Sequence, residues 1–187
     1  MPDDITIVLL LVAAGVAAGC SRAPDRAAAG DSGRAPADSA ALTVTEHGIG
    51  ALRIGMSLPV ASAALGGALV IPSSADTVGC RYVPWRGGPP GVRVMVEGGR
   101  IARVDVDTAG VRTAAGAGIG DSEDQIQRLY PGQVSMTPQK YTSGHYLTVV
   151  PNAADSGYAI VFETSEGKVT RYRAGRTPQV EYVEGCG

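Results

Sequence analysis

One Phe, one Trp, two His, three Cys and two Lys are all that the 187 residues hold of those types. So few His and Cys leave little material for a metal centre, and none of the His, Cys and Asp residues falls at ligand spacing. Sixteen Lys plus Arg against eighteen Asp plus Glu give a net charge of -2, with no basic block. That balance excludes nucleic acid as the main partner. Catalytic signatures are equally scarce. His47 and His145 are the sole imidazoles, and no Gly-x-Ser-x-Gly elbow occurs. Gly116-Ala117-Gly118-Ile119-Gly120 lacks the Lys that a phosphate loop requires. Asp105 and Asp107 share one face of a predicted strand near Arg103, where solvation accounts for them. Asp121, Glu123 and Asp124 complement the positive end of a helix. The expectation is a protein that is not an enzyme and needs no cofactor, an envelope enzyme dependent on His145 being the minor alternative. At 44% apolar the chain still buries a core, enough for one ordinary domain or two small ones.

Residues 5–19 form an unbroken run of apolar and small residues that ends at Cys20. Fifteen residues fall short of the roughly 20 a membrane-spanning helix needs. Ala17-Ala18-Gly19-Cys20 is similar to the cleavage site of bacterial lipoprotein signal peptides, although Met1-Pro2-Asp3-Asp4 is acidic where that family carries Lys or Arg. The resemblance implies a signal peptide over 1–19, lipidation of Cys20 and membrane anchoring through several acyl chains. Ser21, in place of Asp, resembles the sorting signal for the outer membrane, with the rest of the chain facing the periplasm. Residues 20–41 then read as the anchor and a linker. The stretch 21–41 holds eight Ala but no larger aliphatic and no aromatic residue, so it has nothing to bury.

From residue 42 onward the chain repeats itself. GMSLPVASAALGG at 55–67 and GDSEDQIQRLYPG at 120–132 are equal in length and lie 65 residues apart. GVRVMVEGGRIAR at 91–103 pairs with GYAIVFETSEGKVTR at 157–171. Ser57 and Ser122 are predicted N-caps, the latter with Gln125 in a capping box. Leu58, Ala61 and Leu65 fall on one helical face, as do Ile126, Leu129 and Tyr130. Val92, Val94 and Val96 alternate with polar residues before a Gly98-Gly99 turn, the hairpin pattern. Tyr158, Ile160 and Phe162 alternate likewise before a turn at 164–167, and further strands are expected at 80–85, 145–150 and 179–183. The expected fold is α+β: two tandem units, 42–110 and 111–187, each a short helix packed on an antiparallel sheet.

A capped helix opening Gly-x-Ser and closing on Leu65-Gly66-Gly67 or Tyr130-Pro131-Gly132, followed by Cys80 or Lys140 with a Tyr and then a hairpin, resembles the tandem modules of β-lactamase inhibitory protein. It also resembles the single module of the SmpA/OmlA lipoproteins. Both families bind proteins without catalysis. The resemblance therefore implies an envelope protein partner, or alternatively a role as inhibitor of a periplasmic hydrolase of the β-lactamase or lysozyme class.

With Cys20 lipidated, Cys80 and Cys186 are left to form one disulfide in an oxidising compartment, the alternative being a reactive thiol. Trp85 and Arg86 sit beside a Gly/Pro loop, and Tyr141, His145 and Tyr146 occupy the comparable place in the second unit. Trp, Tyr and Arg dominate interface hot spots, so these five are the candidate binding residues, in two loops that together make one rim. Packing competes with that reading, since strand tyrosines such as Tyr82, Tyr146, Tyr158 and Tyr172 also suit a core.

Overall fold

The computed structural model describes residues 42–71, 79–151 and 153–186. The signal peptide, the lipidated Cys20 and the linker expected over 1–41 lie outside these residues.

The described chain is α+β, with two short helices and antiparallel sheets. Three two-residue strands, β1 (Val44–Thr45), β2 (Gly48–Ile49) and β3 (Leu52–Arg53), open it as a small sheet. Helix α1 (Leu58–Ala64) leads to β4 (Cys80–Val83), β5 (Val92–Glu97) and β6 (Arg100–Val106). Helix α2 (Glu123–Leu129) leads to β7 (Val134–Pro138), β8 (His145–Val149), β9 (Tyr158–Ser165) and β10 (Lys168–Arg176). The seven longer strands form one continuous sheet in the order β4-β5-β6-β10-β9-β8-β7. The last strands of the two halves, β6 and β10, meet at its centre, with Val104 opposite Ala174.

Two turns set the central hairpins. Gly98 and Gly99, at φ 57° and 71°, join β5 to β6 in a left-handed two-residue turn. Glu166 and Gly167, at φ 52° and 71°, do the same between β9 and β10. Two left-handed residues match the twist of the flanking strands. The second turn is thus two residues long, shorter than the 164–167 stretch expected, and the strands run on to meet it.

Each helix start is tied to one of these hairpins in the same way. Gly55 donates to Ile101 at 2.7 Å, Ile101 to Met56 at 2.9 Å and Leu58 to Gly99 at 2.9 Å, backbone to backbone. Gly120 donates to Val169 at 2.8 Å, Val169 to Asp121 at 2.9 Å and Glu123 to Gly167 at 3.3 Å. The caps differ. Ser122 Oγ accepts from the Gln125 amide at 3.2 Å, whereas the Ser57 side chain makes no cap bond, contrary to expectation. Pro in the first turn of α1 removes one of the amides a cap would serve.

Strand alternation gives the sheet two unlike faces. On the helix face, Val94, Val104, Ala174, Ile160 and Val149 pack with Leu58, Ala61 and Ile126 from the helices. Phe162 lies buried between Tyr130 and Tyr172, with ring centroids at 6.1 and 5.4 Å. Tyr172 is thus a core residue as anticipated, its hydroxyl donating to Val111 O at 3.0 Å. The opposite face carries Arg93, Asp105, Arg173, Arg171, Glu163 and Tyr146, neighbours in the strand register. A small apolar cluster, Ala159, Val161 and Val180 with Tyr146 and Val150 against it, and the buried Met95 interrupt the polarity.

The final strand expected at 179–183 does not form. Gln179–Glu181 is a 3-10 turn instead, because its carbonyls are taken by arginines of the sheet rather than by a neighbouring strand. The strand β7 and the small sheet β1-β2-β3 carry no alternation long enough to have been expected.

Candidate functional site

Residues 177–186 cross the polar face of the sheet as a strap. Arg103 on β6 holds it from below. One guanidinium nitrogen donates to Gln179 O at 2.9 Å and Tyr182 O at 2.6 Å. The other two donate to Asp105 at 3.0 and 2.8 Å, and one of them also reaches the Tyr82 hydroxyl at 2.8 Å. Arg173 on β10 donates to Val180 O and to Glu163, which also accepts from Arg171 and Gln139. Arg103, Asp105, Glu163 and Arg173 are all buried, so these charges stand only because each is paired. Burial draws the Arg173 guanidinium below its ordinary value, while the Glu163 carboxylate works against that. The solvated strand face expected for Asp105 is therefore corrected: the strap covers it, leaving it 8% exposed, while Asp107 stays open.

A disulfide closes the strap. Cys80 at the start of β4 is bonded to Cys186, with 5.3 Å between the Cα atoms and 106 residues between them in sequence. This is the pairing anticipated by elimination, and it excludes a free thiol at either position.

Beside the strap the polar face opens into a recess of about 380 Å³, bordered by Tyr82, Arg93, Asp107, Tyr141, Arg171 and Glu184. Arg93 lies 4.9 Å from the centre of the Tyr82 ring and 3.8 Å from Asp107. Burial, followed by the nearby Asp105 charge, raises the Tyr82 phenol above its ordinary value. Tyr141, largely exposed, donates its hydroxyl to Glu184 and so holds that carboxyl below the ordinary range. Lys140 stands over the Tyr141 ring at 4.9 Å and 3.8 Å from Glu184.

The five candidate binding residues do not share one surface. Trp85 is half-buried against the helix-face core, its backbone bridged to Leu69, and a Cβ at Gly88 would collide with its ring. Arg86 beside it is exposed, with its amide donating to Ala68 O at 2.8 Å. Tyr141 belongs to the recess on the other face. His145 and Tyr146 alternate on β8 and point apart. The His145 Nδ1–H donates to Glu123 at the start of α2, at 2.9 Å, fixing the tautomer by its partner. Thr164 donates to the same carboxylate at 2.5 Å. These bonds hold the Glu123 carboxyl below its ordinary value, the Thr164 hydroxyl first and His145 after it. Tyr146 faces the strap side, its ring 5.7 Å from the Arg173 guanidinium.

Arg93, Arg103, Glu163, Arg171 and Arg173 escaped the sequence reading as site residues. A usable signal was present: Arg171 and Arg173 alternate with Tyr172 and Ala174, as Arg103 and Asp105 do with Ala102, Val104 and Val106. A strand with charges at every inward-alternate position on neighbouring strands marks a buried ion-pair layer, provided something covers it. What covers it could not be read from the strands themselves. Among the described residues no three His, Cys, Asp or Glu side chains gather as a metal site. No protein-family model, no curated protein and no solved structure matches this chain.

Proposed function

We propose that this chain is an outer-membrane lipoprotein, anchored through acylated Cys20 and facing the periplasm, that binds a protein partner and catalyses nothing. The Cys80–Cys186 disulfide is the observation that carries the reading. Disulfides persist in oxidising compartments, which agrees with the export signal in the first 19 residues. The bond also fastens a strap beside a recess edged by Tyr and Arg, the side chains that most often anchor interfaces. Holding such groups rigid in advance lowers the ordering cost of association.

The domain arises, in this reading, from duplication of one helix-and-hairpin unit, with 42–110 and 111–187 as the copies. The matched backbone bonds at the two helix starts and the meeting of β6 with β10 support it. The resemblance to the β-lactamase inhibitory protein and SmpA/OmlA modules rests on the same units.

Chemical cross-linking of the full chain in intact cells, followed by purification from envelope extract, tests the function. One envelope protein should be recovered in near-stoichiometric amount, and its recovery should fall when Arg93 and Arg171 are replaced by Ala. Repeated recovery of no protein would overturn the reading.

A further inference from the structure

The two edges of the large sheet are unlike. β4 carries Arg81 and, at Cys80, the disulfide to the strap. β7, Val-Ser-Met-Thr-Pro, carries no charge, and its last four residues are exposed. Natural edge strands are normally guarded by charge, a bulge or a covering segment, because a row of open amides and carbonyls templates pairing with another strand. Among the described residues, β7 has only Pro138 at its end as such a guard.

The open groups can be assigned. Gln139 donates to Gly144 O at 2.9 Å and Val150 to Gln133 O at 3.2 Å, in register with Val134 opposite Val149. In an antiparallel ladder bonded and outward residues alternate, so Ser135 and Thr137 bond β8 while Val134 and Met136 turn their N–H and C=O groups outward. Pro138 offers a carbonyl alone. A groove flanks the edge on each face. On the helix face, about 300 Å³ is bordered by Gln127, Tyr130, Gly132, Val134 and Met136. On the strap face, about 210 Å³ is bordered by Thr137, Tyr146 and Thr148 among others. The Tyr146 hydroxyl beside it is buried and has no hydrogen-bond partner among the described residues.

We propose that β7 is a docking edge on which an extended segment of the protein partner adds as an eighth strand. The inference rests on the binding reading above and adds to the recess a second contact surface for the same partner. Main-chain bonds to Val134 and Met136 supply affinity, and alternate side chains of the incoming strand read the two grooves. Residues opposite Val134 and Met136 are apolar, to cover Tyr130 and the helix-face groove. Those opposite Ser135 and Thr137 are small and polar, to fit the narrower groove beside Thr137 and Thr148. Charge is absent from β7, so none is called for at the centre of the partner segment. A second copy of this chain is the poorer occupant. Pairing β7 with itself joins two five-residue strands, far short of the roughly 20–30 residues per side in a stable interface.

Selection of a phage-displayed library of linear heptapeptides against the full chain tests this, with Met136→Pro as the diagnostic variant. That substitution deletes one outward amide without touching the β8 ladder, and edge strands tolerate Pro there. Enriched peptides should alternate apolar and small polar residues, and their affinity should drop at least tenfold on Met136→Pro. Amide exchange should show the variant folded; Val134→Pro serves in its place if it is not. Equal binding to wild type and variant, or no enrichment, overturns the proposal. So does a wild-type dimer that Met136→Pro dissolves, which would assign the edge to self-pairing. In the cross-linking experiment, a partner still captured by Met136→Pro refutes the edge alone, whereas no capture by wild type refutes the binding reading beneath it.

Discussion

The two faces of the seven-stranded sheet are built from the same strands but held by different forces. The helix face is aliphatic and aromatic, closed by α1, α2 and the small sheet, and its stability comes from area removed from water. The strap face is an ion-pair layer whose arginines grip backbone carbonyls of 177–186, with a covalent bond at the end. Buried ion pairs add little net stability against apolar packing, but removing one member is costly. The difference teaches that the helix face makes the fold, while the strap face shapes a surface and needs covalent help to keep its cover.

That comparison can be broken at graded cost. Replacing Cys80 and Cys186 by Ala removes a loop closure over 106 residues, worth about 4.7 kcal/mol by chain entropy for a loop near 100 residues. Urea denaturation should show the loss, and hydrogen exchange in the folded state should rise first in the strap. Phe162→Ala empties the centre of the helix face and should cost about 4 kcal/mol, with exchange rising throughout the sheet rather than locally. Arg103→Ala leaves Asp105 buried without its partner and frees two strap carbonyls, for a loss of about 3 kcal/mol. Its exchange pattern should match the cysteine variant rather than Phe162→Ala. Uniform opening in all three variants would erase the distinction between the faces.

Smaller effects sharpen the same picture at the helix starts. Ser122→Ala should lose about 1 kcal/mol with its cap bond to Gln125, while Ser57→Ala, which has no such bond, should lose close to nothing. Smallest is the effect of Glu123→Gln, and it depends on pH. The folded state holds this carboxyl below its ordinary value of 4.5, so its stabilisation is present above that value and disappears as pH falls through the lower folded value. The gap between wild type and variant in urea midpoint should therefore be open at neutral pH and closed in strong acid.

Much of the fold was legible because its determinants are local. Gly98-Gly99 can close only a tight left-handed turn, and alternation around Val94, Val104 and Phe162 fixes which side of each strand meets the core. The Cys80–Cys186 bridge followed from elimination once Cys20 was set aside as the expected lipidation site. What stayed hidden depends on distant residues. Asp105 looks solvated until residues 177–186, some 72 or more positions away, fold over it. Residues 179–183 alternate like a strand, but Arg103 and Arg173 outcompete any ladder for their carbonyls. Trp85 was singled out as a surface anchor by residue type, and its contact with Gly88 and the helix-face core cannot be seen in one dimension.

Intact-mass and peptide mass spectrometry of the protein recovered from bacterial envelopes tests the central claim most directly. The account predicts a chain that begins at an acylated Cys20 and carries Cys80 joined to Cys186. A chain that retains residues 1–19 with both of those cysteines as free thiols would contradict it.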